Sequence, residues 1–249
     1  MFKIKNLTDR AEMYIYGVIV DDTDANWIRR EDDGAIGYQY PAKIKEQLDG
    51  LKGLPIDVHI ASDGGDIAAG IAIYNMLANH DAPVTVYIDS WAASVASVIA
   101  FAGQKVIMPE NTFLMVHNPA GGGFGESDYL RSIADWLDKL KGMIAETYNK
   151  HFKAEGGIDK IHAMMDAETW ISAREASEMF DIVELVESTD IEAVAEYKSS
   201  FRNAPKCLLP GVKEAEEKEK AVAKIKNRII RVLKEAYKYE TESGIDESN

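Results

Sequence analysis

Three short stretches of this 249-residue chain carry groups that could act together on a carbonyl carbon. Ser94 stands in the run Trp91-Ala-Ala-Ser-Val-Ala-Ser97, where a β-branched segment, 84–89, meets a small-residue helical pattern, 92–103. A serine at a strand-to-helix junction, flanked by alanines, has an uncrowded hydroxyl and a helix N-terminus nearby to stabilise negative charge. The same setting also suits a plain helix cap, so the neighbouring stretches decide. His117 closes the apolar run 112–116 and is followed by Asn118, Pro119 and three glycines, 121–123. An imidazole held at a strand end titrates near neutrality and suits a general base. In the third stretch, 58–66, an apolar strand pattern runs into Ser62, Asp63, Gly64 and Gly65 before a helical pattern, 67–79. Glycines there let the backbone approach a ligand, and amides at a helix start can hold a developing oxyanion. Nucleophile, base and oxyanion donors around one point are what acyl transfer requires.

Ser97 competes with Ser94. It lies three residues further along, on nearly the same helix face, but one turn away from the sheet edge and from Gly65.

The elements that must position these groups alternate. Strand patterns at 13–20, 56–61, 84–89, 105–108 and 112–116 are interleaved with helical patterns at 42–51, 67–79 and 92–103. Such alternation predicts an α/β fold with a mainly parallel sheet, helices against it and right-handed crossovers. The strand ends at Ala61 and Asp89 then emerge on one edge. A long helical pattern, 126–151, carries Tyr129, Ile133, Trp136, Leu137, Leu140, Ile144 and Tyr148 at three- and four-residue steps. The polar segment 21–40, with Trp27 inside it, reads as a solvated insertion. Residues 1–187 form the main domain; 188–212, punctuated by Pro205 and Pro210, form a linker; 213–249 form a charged helical extension.

Composition bounds the rest. With 46% hydrophobic residues the chain can bury a sizeable core, and a formal charge of −14 argues against a strong nucleic-acid footprint. Cys207 is the single cysteine, which excludes an intrachain disulfide and fits a reducing compartment. His59, His80, His151 and His162 show no metal-ligand spacing, and no phosphate-binding Gly-x-x-x-x-Gly-Lys loop is present. No apolar stretch is long enough for a membrane span and no signal core opens the chain, so a cytoplasmic protein without cofactor or metal is expected.

The motifs together resemble a known family, the ClpP-type (caseinolytic) serine peptidases, and within it the prophage-encoded, head-maturation-like branch. Four stretches carry the resemblance in the family's order: Ser62-Asp-Gly-Gly65, Ala92-Ala-Ser-Val-Ala-Ser97, Met115-Val-His-Asn-Pro119 and Trp170-Ile-Ser-Ala-Arg-Glu-Ala176. It implies Ser94 as nucleophile, His117 as general base, and the N–H groups of Gly65 and Val95 as oxyanion hole. The acid departs from the pattern. Where the family has aspartate four residues before the Ser-Ala of the next helix, this chain has Glu168, with Asp166 two residues earlier. Glu168 ranks first and Asp166 second, and both also read as solvated caps of the helix beginning near Ser172.

The resemblance further implies a ClpP/crotonase-like fold of repeated ββα units with 126–151 as a handle helix. It implies a serine endopeptidase acting on unfolded polypeptide inside a homo-oligomeric chamber of one ring or two stacked rings. An AAA+ unfoldase or phage capsid proteins are the partners it suggests. Two other readings stay open: a crotonase-like acyl-CoA enzyme, which needs no serine nucleophile, and a largely structural phage assembly protein.

Overall fold

In the segment 84–93, Val84, Val86 and Ile88 are buried while Thr85, Tyr87 and Asp89 are half-buried, the two-residue alternation of a strand with one face on a core. The alternation ends at Ser90, after which Trp91, Ala92 and Ala93 are all buried. The computed structural model describes residues 5–6, 9–25, 37–187 and 203. The chain divides into two units after residue 204, and every described residue belongs to the first. Trp27 with most of its insertion, the linker apart from Asn203, Cys207 and the charged extension lie outside the described residues.

In chain order the elements are β1 (Lys5–Asn6), β2 (Ala11–Ile19), β3 (Tyr38–Gln39), α1 (Pro41–Asp49), β4 (Ile56–Gly65), α2 (Ile67–Ala78), β5 (Val84–Ala93) and α3 (Val95–Ala100). There follow β6 (Lys105–Pro109), β7 (Phe113–Val116), α4 (Ser127–Asn149), α5 (Gly157–Asp166), β8 (Thr169–Ser172), α6 (Ala173–Met179) and β9 (Val183–Val186). The sheet runs β1-β2-β4-β5-β6-β9, with β3 also on β2, and β7 joining β5 to β8. All pairings are parallel except β1 with β2 and β7 with β8. The expected mixed α/β architecture is the observed one.

One expectation needs correction. The helix foreseen over 92–103 starts only at Val95, because Ala92 and Ala93 still pair with Leu114 and Met115 of β7. Alanine favours helix by propensity, and pairing with β7 overrides that preference here. β4 likewise runs on through Gly65 rather than stopping at Ala61, its last residues paired to Val18 and Ile19. The short elements α5, β8 and β9 were not foreseen. The helix start near Ser172 was, and it carries a capping box between Ser172 and Glu175.

α2 and α3 cross closely over the sheet. A Cβ on Gly70 of α2 would lie 2.1 Å from a methyl of Val95, so glycine sets the approach. Exchanging Gly70 for alanine gains about 1 kcal/mol of helix propensity. Overpacking costs about 1–3 kcal/mol, and Val95 is buried and stiff at χ1. Gly70→Ala should therefore lower the urea midpoint at unchanged slope; a midpoint equal to or above that of the natural chain would contradict this packing.

Candidate active site

Ser94 occupies the single residue between β5 and α3, with φ 56° and ψ −131°. Positive φ is unfavourable for a residue with a Cβ, by about 1–3 kcal/mol, and a sharp strand-to-helix turn of this kind lifts a side chain off the sheet edge. The hydroxyl makes no cap hydrogen bond to α3. Its oxygen lies 2.7 Å from Nε2 of His117. The cap reading of Ser94 is thus replaced by a contact to the residue that closes β7. His117 reaches it because β7 pairs with the last three residues of β5, Trp91 to Phe113 and Ala93 to Met115, so both strands end side by side.

The Gly64-Gly65 turn closes the third side. Gly64 has φ +88°, and a Cβ there would lie 2.7 Å from Ala93 O, 2.8 Å from Ser94 Cβ and 3.1 Å from Val95 N. Only glycine lets β4 pass this close to the serine turn. Gly64 N–H donates to Ser62 Oγ at 3.1 Å, and Ser62 Oγ donates to Gly17 O. Asp66 N–H donates to Ile19 O at 2.8 Å, turned toward β2. Val95 is the first residue of α3, and its N–H belongs to the first-turn amides that no intrahelical carbonyl can serve. Ser94, His117, Gly64, Gly65 and Val95 line one open cleft of about 350 Å³, walled on its apolar side by Ile67, Val98 and Ile144.

The two carboxylates separate. Asp166 is exposed, ion-paired to Lys141 and accepting from Asn118 Nδ2 at 2.8 Å. The Lys141 ammonium first, and then the Asn118 amide, hold its carboxyl below the usual range. Glu168 is only 5% exposed and has φ 51°. Its Oε1 accepts the Asn203 N–H at 2.7 Å, while Asn203 Nδ2 donates to Ala167 O at 2.6 Å. The antiparallel register pairs Val116, the residue before His117, with Thr169, the residue after Glu168. Neither carboxylate caps α6, a task that falls to Ser172.

Ser97 is fully buried and does not face His117. Its hydroxyl meets Ser94 O at 2.6 Å, Met115 O at 3.0 Å and Tyr148 Oη at 2.8 Å. Sequence spacing gave no sign of this contact to α4, nor of Asn203 on Glu168, because both join stretches far apart in the chain. Asp63, also on the cleft, accepts from Trp91 Nε1 at 2.7 Å. His59 stacks between Tyr14 and Tyr87, at 4.9 and 5.0 Å, with Nδ1 3.0 Å from Asp89. Among the described residues no three His, Cys, Asp or Glu side chains are grouped to hold a metal ion, and no helix is long and apolar enough to cross a membrane.

A family model described as Clp protease matches residues 42–188, more than half of the chain and every element of the cleft except the end of β2. The chain is similar to ATP-dependent Clp protease proteolytic subunit 1 of Salinibacter ruber, 29% identical over 143 residues that make up 56% of this chain and 60% of the relative. It therefore spans about three fifths of that relative's length. Among solved structures, a mutant ClpP1 from Listeria monocytogenes superposes with a TM-score of 0.56 at 24% identity, over 72% of this chain and 92% of that one. At that identity the likeness concerns the fold alone.

An imidazole nitrogen in contact with a serine oxygen activates it toward electrophiles. A fluorophosphonate should label the protein on Ser94 and not on the buried Ser97, and His117→Ala should slow labelling by about a hundredfold, the usual scale of a lost general base. Peptide mapping of the labelled chain checks both. A label on Ser97 that persists in Ser94→Ala would overturn the assignment.

Proposed function

The chain belongs to the Clp protease family, and we propose that it is a serine endopeptidase cutting unfolded polypeptide inside a chamber built from copies of itself. The observation that carries this reading is the 2.7 Å contact between Ser94 Oγ and His117 Nε2 on the wall of an open cleft of about 350 Å³.

In this reading Ser94 Oγ attacks the scissile carbonyl while His117 Nε2 accepts its proton. The tetrahedral oxyanion is met by the N–H groups of Gly65 and Val95. Gly65 is favoured over Gly64 because the Gly64 amide is already engaged by Ser62. His117 then returns the proton to the leaving amine, the amine departs, and water, deprotonated by the same imidazole, hydrolyses the acyl-enzyme. Substrate lying along residues 64–67 would gain main-chain hydrogen bonds that ask little of its side chains. Ile67, Val98 and Ile144 favour an apolar side chain beside the scissile bond.

Glu168 is the proposed acid. Burial and the pairing of Thr169 with Val116, the chain neighbours of Glu168 and His117, support it, whereas Asp166 is already committed to Lys141 and Asn118 at the surface. Self-association is supported by α4, where Tyr129, Leu130, Trp136 and Met143 remain exposed, Trp136 by 59%. Such a row on one helix marks a contact surface. ATP dependence, named for the Salinibacter ruber relative, would come from a separate unfoldase.

Three measurements test the proposal. The unlabelled protein should hydrolyse a fluorogenic peptide and lose that activity on labelling, and Ser94→Ala should not hydrolyse it; acyl-CoA binding with no covalent labelling would point instead to crotonase-type chemistry. Glu168→Gln should lower kcat by a hundredfold or more, since loss of a triad acid costs up to about 10⁴. Exposed ion pairs are worth about 1 kcal/mol or less, so Asp166→Asn should stay within about fivefold, and the reverse order of effects would exchange the two roles. Introducing charge on α4, Leu130→Asp with Trp136→Asp, should give smaller particles by sedimentation; an unchanged size would exclude α4 from the assembly contact.

A further inference from the structure

The cleft has a polar support that its proposed chemistry leaves unexplained. Ser97 Oγ lies between two main-chain carbonyls, Ser94 O at 2.6 Å and Met115 O at 3.0 Å, and also touches Tyr148 Oη at 2.8 Å. Ser97 is completely buried and Tyr148 is 2% exposed. Burial pushes the Tyr148 phenol well above its ordinary range, so it keeps its proton.

Two hydroxyl protons must be placed among these oxygens. Carbonyls only accept, so among these four oxygens only a hydroxyl can donate to them, beside the amide that each already accepts. If Ser97 gave its proton to Tyr148, both carbonyls would lose it. The Tyr148 proton would then have no acceptor in contact among the described residues, at the cost of a buried unpaired donor. The arrangement that satisfies every group has Tyr148 donating to Ser97 and Ser97 donating to the carbonyl pair.

The two carbonyls are informative ones. Ser94 C=O shares a planar trans peptide with Val95 N–H, so fixing the direction of one fixes the other, pointing oppositely. Ser94 O also accepts Ser97 N–H at 3.0 Å, which occupies its second lone pair. Met115 O accepts Ser94 N–H at 2.9 Å and lies two residues before His117. One hydroxyl therefore joins the nucleophile's peptide to the strand that carries the base.

We propose that Ser97 and Tyr148 are positioning residues for acyl transfer: a relay from Tyr148 through Ser97 locks the peptide plane that aims the Val95 N–H at the oxyanion and holds that plane against the strand bearing His117. The inference rests on the serine-peptidase reading above. Neither hydroxyl touches substrate; they act through the Val95 amide and the spacing of Ser94 from His117. Tyr148 also belongs to α4, so the helix with the exposed aromatic row supplies the first donor of the relay.

Ser97→Ala and Tyr148→Phe each remove one oxygen, and the phenyl ring keeps its edge contact with Phe101 at a centroid distance of 5.2 Å. With the assembled full-length protein and a fluorogenic peptide, each variant should lose about tenfold in kcat with KM within about twofold, the scale of one misdirected hydrogen bond. The double variant should fall about tenfold and not a hundredfold, because the two groups act in series. Affinity for a peptide boronate, whose adduct places an oxygen in the oxyanion site, should fall in step with kcat/KM, while affinity for a cleaved product peptide should not change. Full kcat in both single variants, or equal losses for boronate and product, would overturn the relay even with Ser94 established as nucleophile. If instead Ser94→Ala retains the activity of the natural chain, the peptidase reading fails first and the relay falls with it.

Discussion

Beyond β4, the ten residues of β5 have one edge to offer, and two strands share it. Thr85 to Tyr87 pair with β6, and Trp91 to Ala93 pair with β7. Asp89 and Ser90 span the change of partner. Because β7 enters beside the end of β5 and not its beginning, the terminus of β7 arrives where β5 turns into α3. Ser94 and His117 meet for that reason, although 23 residues separate them. β4 obeys the same geometry from the other side, slipping register between Ile60 and Ser62 so that its glycines run past the serine turn.

That meeting point is conformationally costly, and the surrounding structure holds it. Ser94 and Glu168 are the non-glycine residues with positive φ among those described, at 56° and 51°. Each such residue is disfavoured by about 1–3 kcal/mol, comparable to a sizeable share of a typical domain's net stability. Ser94 is held by its N–H on Met115 O, by two donors from Ser97 to its carbonyl and by its side chain on His117. Glu168 is held by its own N–H on Met165 O and by the Asn203 amide on its carboxylate. Both strained residues lie at ends of strands that adjoin β7, Ser94 after β5 and Glu168 before β8.

Much of this was legible in the sequence, and unevenly so. Alternation and helical spacing located β2, β4, β5, β6, β7, α1, α2 and α4 to within a few residues, because each buries a regular stripe. Ser94, His117 and the double glycine stood out because their residue types are chemically demanding where a strand ends. The boundary at Ala92 was misread, since alanine carries no preference strong enough to oppose pairing with β7. The four residues of β8 are too few to show a period. Without β8 the pairing of Thr169 with Val116 was invisible, and Glu168 was placed ahead of Asp166 by the family's spacing alone.

The surroundings of the two carboxylates near β8 differ. Asp166 is the last residue of α5, two residues before Glu168 and three before β8. Its charge is drawn outward by Lys141 on α4. Glu168 sits directly before β8, whose first residue, Thr169, pairs with Val116, the residue before His117. A left-handed backbone changes the direction in which a side chain leaves the chain. The φ of 51° at Glu168 and the Asn203 amide on its carboxylate are the two features that set this direction. The buried carboxylate is thus fixed by its own backbone conformation and by a main-chain partner 35 residues along the chain, while the exposed one is fixed by a surface ion pair.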